Sequence, residues 1–357
     1  MNARLTLRTI PLFAGLLWCG AVLAQYQLQP LWSLAPEARP YLTTGNTERG
    51  MAYNPATGHV ILVSRAGGLN IPILDGVTGS DVGFLDVTGI PTSGAGIFSI
   101  NMVGVADDGA IYVGNLSTDL VTPAFRLYRW ENESAAPVQV FSGNPNPLSL
   151  DRWGDTMTVR GAGSSTQVLI SSRNGTSASV LVPVPVGADF QAVPILTDAA
   201  GGDMGLGLAF GSGDSFWATA SGRTLRQISV DSSGAPPFPG TTVGNFGEAE
   251  GVPLSINFVG TDPNAGFLGA VQLVDGPDLF HLFAINAWGT PVLMDTETLT
   301  ANNANVNGTG SIAFGGGKAF VLDSNNGIHA YDVIPEPATW ALGLLGAFAF
   351  LGLRRRS

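Results

Sequence analysis

The sequence predicts an all-β chain: a β-propeller of six blades with four strands each, preceded by a cleavable signal helix and followed by a short transmembrane helix. Three observations predict this. The 357 residues include 48 glycines and 23 prolines, and 45% are hydrophobic against only 12% charged, the composition of many short strands joined by tight turns around a sizeable core. Four segments, 50–65, 104–115, 207–220 and 311–324, share one shape: a short strand holding an alanine, a turn rich in Gly, Asp, Asn or Pro, and a second apolar strand. Their anchors Ala52, Ala106, Ala209 and Ala313 lie 54, 103 and 104 residues apart, so a period of about 52 places one further unit in each long gap. Repeats of this size with about four strands each mark a propeller. A β-sandwich pair or an open solenoid is the alternative.

In chain order, "MNARLTLRTIPLFAGLLWCGAVLAQ" comes first. Arg4 and Arg8, an apolar stretch from Ile10, and Val22-Leu23-Ala24 ahead of Gln25 make residues 1–24 a secretory signal peptide cleaved after Ala24. Cys19, the single cysteine, lies inside that segment, behind a Trp18 too bulky for a lipoprotein signal. The mature cargo, residues 25–334, then has no disulfide, no cysteine-ligated zinc and no iron-sulfur cluster, and its stability rests on its core.

The cargo opens on an apolar piece without a partner, "YQLQPLWSL" (26–34). The first unit continues past its anchor hairpin with "NIPILDG" and "VGFLDV", the second with "FRLYRW" and "PVQVF". The third begins in the first gap, with "DTMTVRGAGSSTQVLISSRN" (155–174), and adds "ASVLVPV" and "QAVPILT". The fifth begins in the second gap, with "LSINFVGTDPNAGFLGAVQL" (254–273). Alternation and β-branched content favour strand throughout. The last unit has "SIAF", "AFVLDS" and "IHAYDV" but no fourth strand, so residues 26–34 are expected to supply it, closing the ring and removing an exposed edge.

Local chemical motifs are sparse. His59, His281 and His329 stand alone without metal-ligand spacing, and no catalytic or metal-ligating residue is assigned. There is no G-x-S-x-G elbow, and "GLGLAFG" (205–211) enters a strand with no helix after it, against a dinucleotide site. "VADDGA" and "GTDPNAG" carry carboxylates without the full D-x-[DN]-x-[DN]-G spacing, so capped hairpin turns are expected, with calcium as the alternative and no other cofactor indicated. "LDGVTG" (74–79) is similar to a turn that recurs in quinoprotein-type propellers. That resemblance implies an aspartate-capped turn and a glycine at positive φ, while the tryptophan and basic residues expected around a quinone are not evident.

Net charge is −11, and five of the 16 basic residues, Arg4, Arg8 and Arg354 to Arg356, belong to the terminal segments. With one lysine, Lys318, and arginines scattered singly, the body has no basic track for a nucleic acid. The loops that lead into each unit's first strand are polar in every unit. They bring Glu48, Arg49, Asn101, Arg152, Trp153, Asp155, Asp203, Glu250 and Asn307 to one face of the ring as a candidate binding face for a sugar, peptide or ion, with Trp153 as its aromatic platform. Solvated loop residues would look the same.

The tail, residues 335–357, is of another kind. Ala338 to Leu353 is apolar and, at about 1.5 Å per residue, reaches about 24 Å against a hydrocarbon core of about 30 Å. Arg354, Arg355 and Arg356 would hold its end on the cytoplasmic side. Pro335-Glu336-Pro337, this apolar helix and the arginine cluster together resemble the PEP-CTERM protein-sorting signal. The resemblance implies recognition by an exosortase-type membrane protease, transient membrane anchoring and delivery to the surface of a Gram-negative cell that makes extracellular polysaccharide. A plain membrane anchor is the alternative. The combined reading is an exported, surface-sorted protein that binds within or builds the extracellular matrix, with polysaccharide as a candidate partner. The alternative is a propeller hydrolase or lyase using a metal or carboxylates on the channel face.

Overall fold

Apolar alternation is realised as strand along the whole cargo. The computed structural model describes residues 25–118, 124–148, 151–185, 187 and 189–336, and within them Tyr26–Pro335 form one compact unit. The expected signal helix (1–24) and the tail from Pro337 onward, Arg354 to Arg356 included, lie outside the described residues. Among those described, the only helical elements are two 3₁₀ turns, Gly163–Ser165 and Glu248–Glu250, and no helix is long and apolar enough to cross a membrane.

The first described strand is β1 (Tyr26–Leu34), and after it β2 (Glu48–Asn54), β3 (His59–Ser64), β4 (Pro72–Asp75) and β5 (Asp81–Phe84) make one antiparallel sheet of four in chain order. A second such sheet is β6 (Phe98–Val105), β7 (Ile111–Leu116), β8 (Phe125–Trp130) and β9 (Val138–Gly143). Next come β10 (Trp153–Arg160), β11 (Gln167–Ser172), β12 (Ser177–Pro183) and β13 (Phe190–Thr197), then β14 (Gly207–Phe210), β15 (Ser215–Thr219), β16 (Leu225–Val230) and β17 (Phe238–Phe246). A further sheet is β18 (Ile256–Asp262), β19 (Phe267–Gln272), β20 (Leu279–Ile285) and β21 (Pro291–Thr298). The chain closes with β22 (Gly310–Gly315), β23 (Lys318–Asp323) and β24 (Gly327–Pro335). These strands include those that the sequence places in the first three units, the anchor hairpins of all six and the closing strand, and they add β16, β17, β20 and β21 as the outer strands of the fourth and fifth units.

One feature differs from expectation. The third and fourth four-strand units are not separate sheets: their outer strands β13 and β17 pair in parallel at Ile195–Phe238, Leu196–Pro239 and Thr197–Gly240, fusing eight strands into one sheet. Both outer strands offer unpaired backbone at their free edges, and three residues of pairing satisfy part of each.

The first strands β2, β6, β10, β14, β18 and β22 neighbour one another in that order, and β22 returns to β2. They surround a narrow channel of about 130 Å³ whose wall takes Met51, Val103, Met157, Leu208, Val259 and Ile312, one from each strand. Crowding is severe there. A Cβ on Gly50 would stand 2.5 Å from the Val103 nitrogen, and one on Gly260 would stand 2.4 Å from the Ile312 carbonyl oxygen, so only glycine fits at either place. Away from the axis the units diverge, and large side chains fill the widening gaps: Tyr128 and Trp130 between the first two units, Phe125 and Phe190 between the second and third.

β1 takes the expected outer place in the last sheet, antiparallel to β24 from Tyr26–Pro335 to Leu34–Ile328, with a bulge between Pro30 and Trp32. It buries Leu28 beside Phe280 and Tyr331, and packs Leu31, Trp32 and Leu34 against the core that contains Phe320 and Ile328. Leu28→Ala is expected to destabilise the fold by about 2–5 kcal/mol, read as a lower urea midpoint. An unchanged midpoint would mean that β1 does not hold the last sheet.

Candidate functional site

Each unit's alternating strands give the ring two faces. First strands begin on one, called here the start face. The turns joining first to second and third to fourth strands lie on the other, the hairpin face.

On the start face, five of the nine residues singled out in the sequence come together. Glu48 and Arg49 open β2. Glu48 Oε1 accepts bonds from the Thr43 amide (2.6 Å) and the Thr47 hydroxyl (2.8 Å), while Arg49, 9% exposed, donates to the Thr309 hydroxyl. Asn101 accepts from Arg65 and donates to the Gly154 carbonyl at 2.6 Å. Arg152 grips Asp155 through two bonds of 2.6 Å. Burial pushes the Arg49 guanidinium below its ordinary range, with the Asp155 carboxylate opposing the shift, and it brings Arg65 down to about 9 with the nearby Arg49 charge adding to it. Arg152 is raised by its bonds to Asp155. Arg173, lowered by burial, is a further arginine within electrostatic reach of Arg49, Arg152 and Asp155. Arg152 and Asp155 satisfy each other, whereas Glu48 Oε2 and Arg49 Nε are buried without a hydrogen-bond partner, and together the five form a polar cluster.

The other four are placed differently. Trp153 is fully buried among Met102, Tyr112, Phe125 and Met157, so it is a packing residue and offers no face to a sugar. Its flanking charges disguise it in the sequence. Asp203 is 1% exposed and pairs with Arg226 at 2.7 Å and Arg223 at 3.5 Å, apart from the Arg152–Asp155 pair. Glu250 is exposed and caps its own 3₁₀ turn through the Gly247 amide at 2.8 Å, and Asn307 is exposed.

The hairpin face holds the larger concavity, about 670 Å³, which sequence reasoning did not anticipate. Its walls are the turns after the first strands, and they contribute Tyr53, Asp107, Ser165, Ser212, Asp262 and Asn264. Neighbouring turns are laced together. The Asp107 amide donates to the Gly161 carbonyl (2.8 Å), Asp108 accepts from the Gly163 amide (2.8 Å), Arg160 donates to the Gly213 carbonyl (2.7 Å) and Thr261 donates to the Phe210 carbonyl (2.6 Å). The bowl is thus held open before any ligand arrives. A second hollow of about 200 Å³ shares Phe210, Ser212 and Pro263 with it and adds Trp217, Gln227 and Asn286. Beside that hollow the β20–β21 turn carries Trp288, 88% exposed, in a turn fixed by Asn286 Oδ1, which accepts the amides of Trp288 and Thr290 at 2.9 Å each.

The two acidic loops weighed for calcium use carboxylates as turn caps. Asp108 Oδ1 accepts the Ala110 amide, and Asp262 Oδ1 accepts the amides of Asn264 and Ala265. Among the described residues no three His, Cys, Asp or Glu side chains are grouped to hold a metal ion. The LDGVTG turn is as expected: Asp75 Oδ1 accepts the Val77 and Thr78 amides and the Thr78 hydroxyl, bonds that depress its pKa, and Gly79 has φ 69°. The histidines serve separate places. His59 meets Glu133 at 2.7 Å, His281 lies between Thr296 and Gln272, and His329 is buried and pushed down to about 4 by desolvation.

No protein-family model matches the sequence, and no curated protein matches it. Among solved structures, the PQQ-bound aldose sugar dehydrogenase from Streptomyces coelicolor is similar with a TM-score of 0.51 at 16% identity, over 87% of this chain and 99% of that one. The β-propeller domain of Cps50 (Swd1) from Myceliophteria thermophila is similar with a TM-score of 0.50 at 10% identity, over 86% of this chain and 100% of that one. At these identities the likeness is one of fold, and the fold is a β-propeller.

Trp153→Ala is expected to cost about 3–5 kcal/mol of stability, as truncation of a buried aromatic does, and to lower the thermal midpoint accordingly. Thermal unfolding at the wild-type temperature would return Trp153 to the surface.

Proposed function

We propose that this chain is an exported, surface-sorted propeller of six blades that binds extracellular polysaccharide on its hairpin face. The blade count takes the eight-stranded sheet as two blades joined at β13–β17. The observation that carries the binding reading is the rigid bowl of about 670 Å³ on that face, a volume within the ordinary range for ligand sites of about 300–1,000 Å³. Its chemistry suits a polyol. Carboxylate, hydroxyl and amide groups from Asp107, Ser165, Asp262 and Asn264 can bond hydroxyls, and Tyr53 and Phe314 contribute aromatic surface to the same wall. Trp288 offers an exposed ring on a turn that is already ordered, so stacking on a sugar costs little conformational entropy.

Export and sorting rest on the sequence alone: residues 1–24 as a signal peptide and Pro335-Glu336-Pro337, the apolar run and Arg354 to Arg356 as a tail read by an exosortase-type protease.

Replacing Trp288 and Asn264 together with Ala is expected to abolish co-sedimentation with the host's extracellular polysaccharide while the thermal midpoint stays put, because exposed loop residues contribute within about 0.5 kcal/mol. Undiminished co-sedimentation would remove the hairpin face from consideration. Sorting is tested separately. In a host with the sorting machinery, Glu336→Ala is expected to leave the chain uncleaved in the membrane fraction, and normal release would refute the tail's assignment.

A further inference from the structure

A second cavity, of about 290 Å³, lies between the two halves of the eight-stranded sheet, and its chemistry is the reverse of the bowl's. Its interior is hydrocarbon: Leu169, Val180, Val193 and Ile195 from the third unit face Phe216 and Val230 from the fourth. Val180 and Val193 are direct cross-strand partners on β12 and β13, so they present one continuous aliphatic wall. Polar groups gather at one end. Arg160 lies over the Phe210 ring at 4.2 Å and is paired with Asp214 at 3.8 Å, and Ser232 donates to Asp214 at 2.8 Å. Arg160 also lines the bowl, which places this polar end on the hairpin face.

The cavity follows from the topology. Outer strands diverge with distance from the axis, and a gap between two units is ordinarily filled by large side chains. Here β13 and β17 are drawn together at Ile195–Phe238 to Thr197–Gly240, which roofs the gap, while Val180, Val182, Val193, Ile195 and Val230 line it without filling it.

We propose that this cavity binds a medium-length alkyl chain carried on a small polar head, with the chain between the half-sheets and the head beside Arg160 and Ser232. An apolar cavity of about 150 Å³ suffices for benzene, so this one accommodates a chain of about eight to twelve carbons. A straight chain fits the narrow slot between two β-sheets better than a fused ring system does. The site is separate from the polysaccharide reading and stands without it.

The test is calorimetric titration of the full chain with 1-hexanol, 1-heptanol, 1-octanol and octanoate. Saturable binding is expected, tightening about fourfold for each added methylene of the alcohols as burial of hydrocarbon dictates. The same titrations on Val180→Phe and Val193→Phe, which fill the cavity, are expected to show at least a tenfold loss. Tighter binding of octanoate than of 1-octanol assigns the head group to Arg160 as an anion contact, whereas the reverse order assigns it to the neutral donors and to repulsion by Asp214. The absence of saturable binding, or affinity independent of chain length in the unaltered protein, overturns the proposal even where a filled variant does not fold. Undiminished binding by a folded filled variant overturns it as well.

Discussion

Six first strands converging on one axis is the constraint from which the remaining features follow. Where β2 meets β6, and where β18 meets β22, the space between backbones is less than a methyl group, as Gly50 and Gly260 show. Strands that touch at the axis must separate outward, because each sheet keeps its own width and twist. Inner positions that meet a neighbouring backbone, such as Gly50 and Gly260, therefore demand glycine, while the outer gaps demand bulk. Tyr128, Trp130, Phe125, Phe190 and the buried Trp153 answer that second demand. The gap roofed by β13 and β17 is the place where the demand is answered by strand pairing in place of side-chain volume.

What the sequence reveals of this is the part encoded locally. The alanine anchors and the strand, turn, strand pattern repeat at a fixed spacing because each unit solves the same packing problem at the same radius. Residues 26–34 were legible as the closing strand because an apolar segment with no partner at one end matched a missing strand at the other, and β1 pairs with β24 accordingly. Asp75 and Gly79 were legible because a capped turn is complete within six residues. The β13–β17 pairing was not. Three residues of parallel contact between strands 43 positions apart leave no periodic trace, as Ile195 and Phe238 illustrate.

The candidate site was legible in part, and the missing part has a physical cause. Loops leading into first strands carry conspicuous charges, so attention falls on Arg49, Arg152 and Asp155. Arg152 and Asp155 are committed to each other, and Arg49 is buried against Thr309, inside the fold. The bowl's residues, such as Asp107, Ser165 and Asn264, are the ordinary vocabulary of hairpin turns, and only the ring geometry makes them converge. Trp153 misled for a related reason. An aromatic residue with Arg152 before it and Asp155 two positions after it reads as surface, yet its side chain is fully buried in the core between units.

The start-face charges also explain how a ring without a disulfide is held shut. Closure has to join the first unit to the last across most of the chain, and loop-closure entropy opposes it. At the rim β1 accomplishes this by pairing with β24. At the axis the work falls to polar contacts between the same two units. Arg49 reaches Thr309, Ser324 donates to the Glu48 carbonyl at 2.8 Å, Ser311 donates to the Met51 carbonyl at 2.9 Å, and the Asn46 amide donates to Asn325 at 2.6 Å. These bonds join the first unit to the last, so they form only when the ring is complete, and an open ring would leave their buried polar groups without these partners. These contacts therefore favour the closed ring. The larger concavity is on the hairpin face, about 670 Å³ against about 220 Å³ for the start-face hollow lined by Leu273, Asp278 and Asn305.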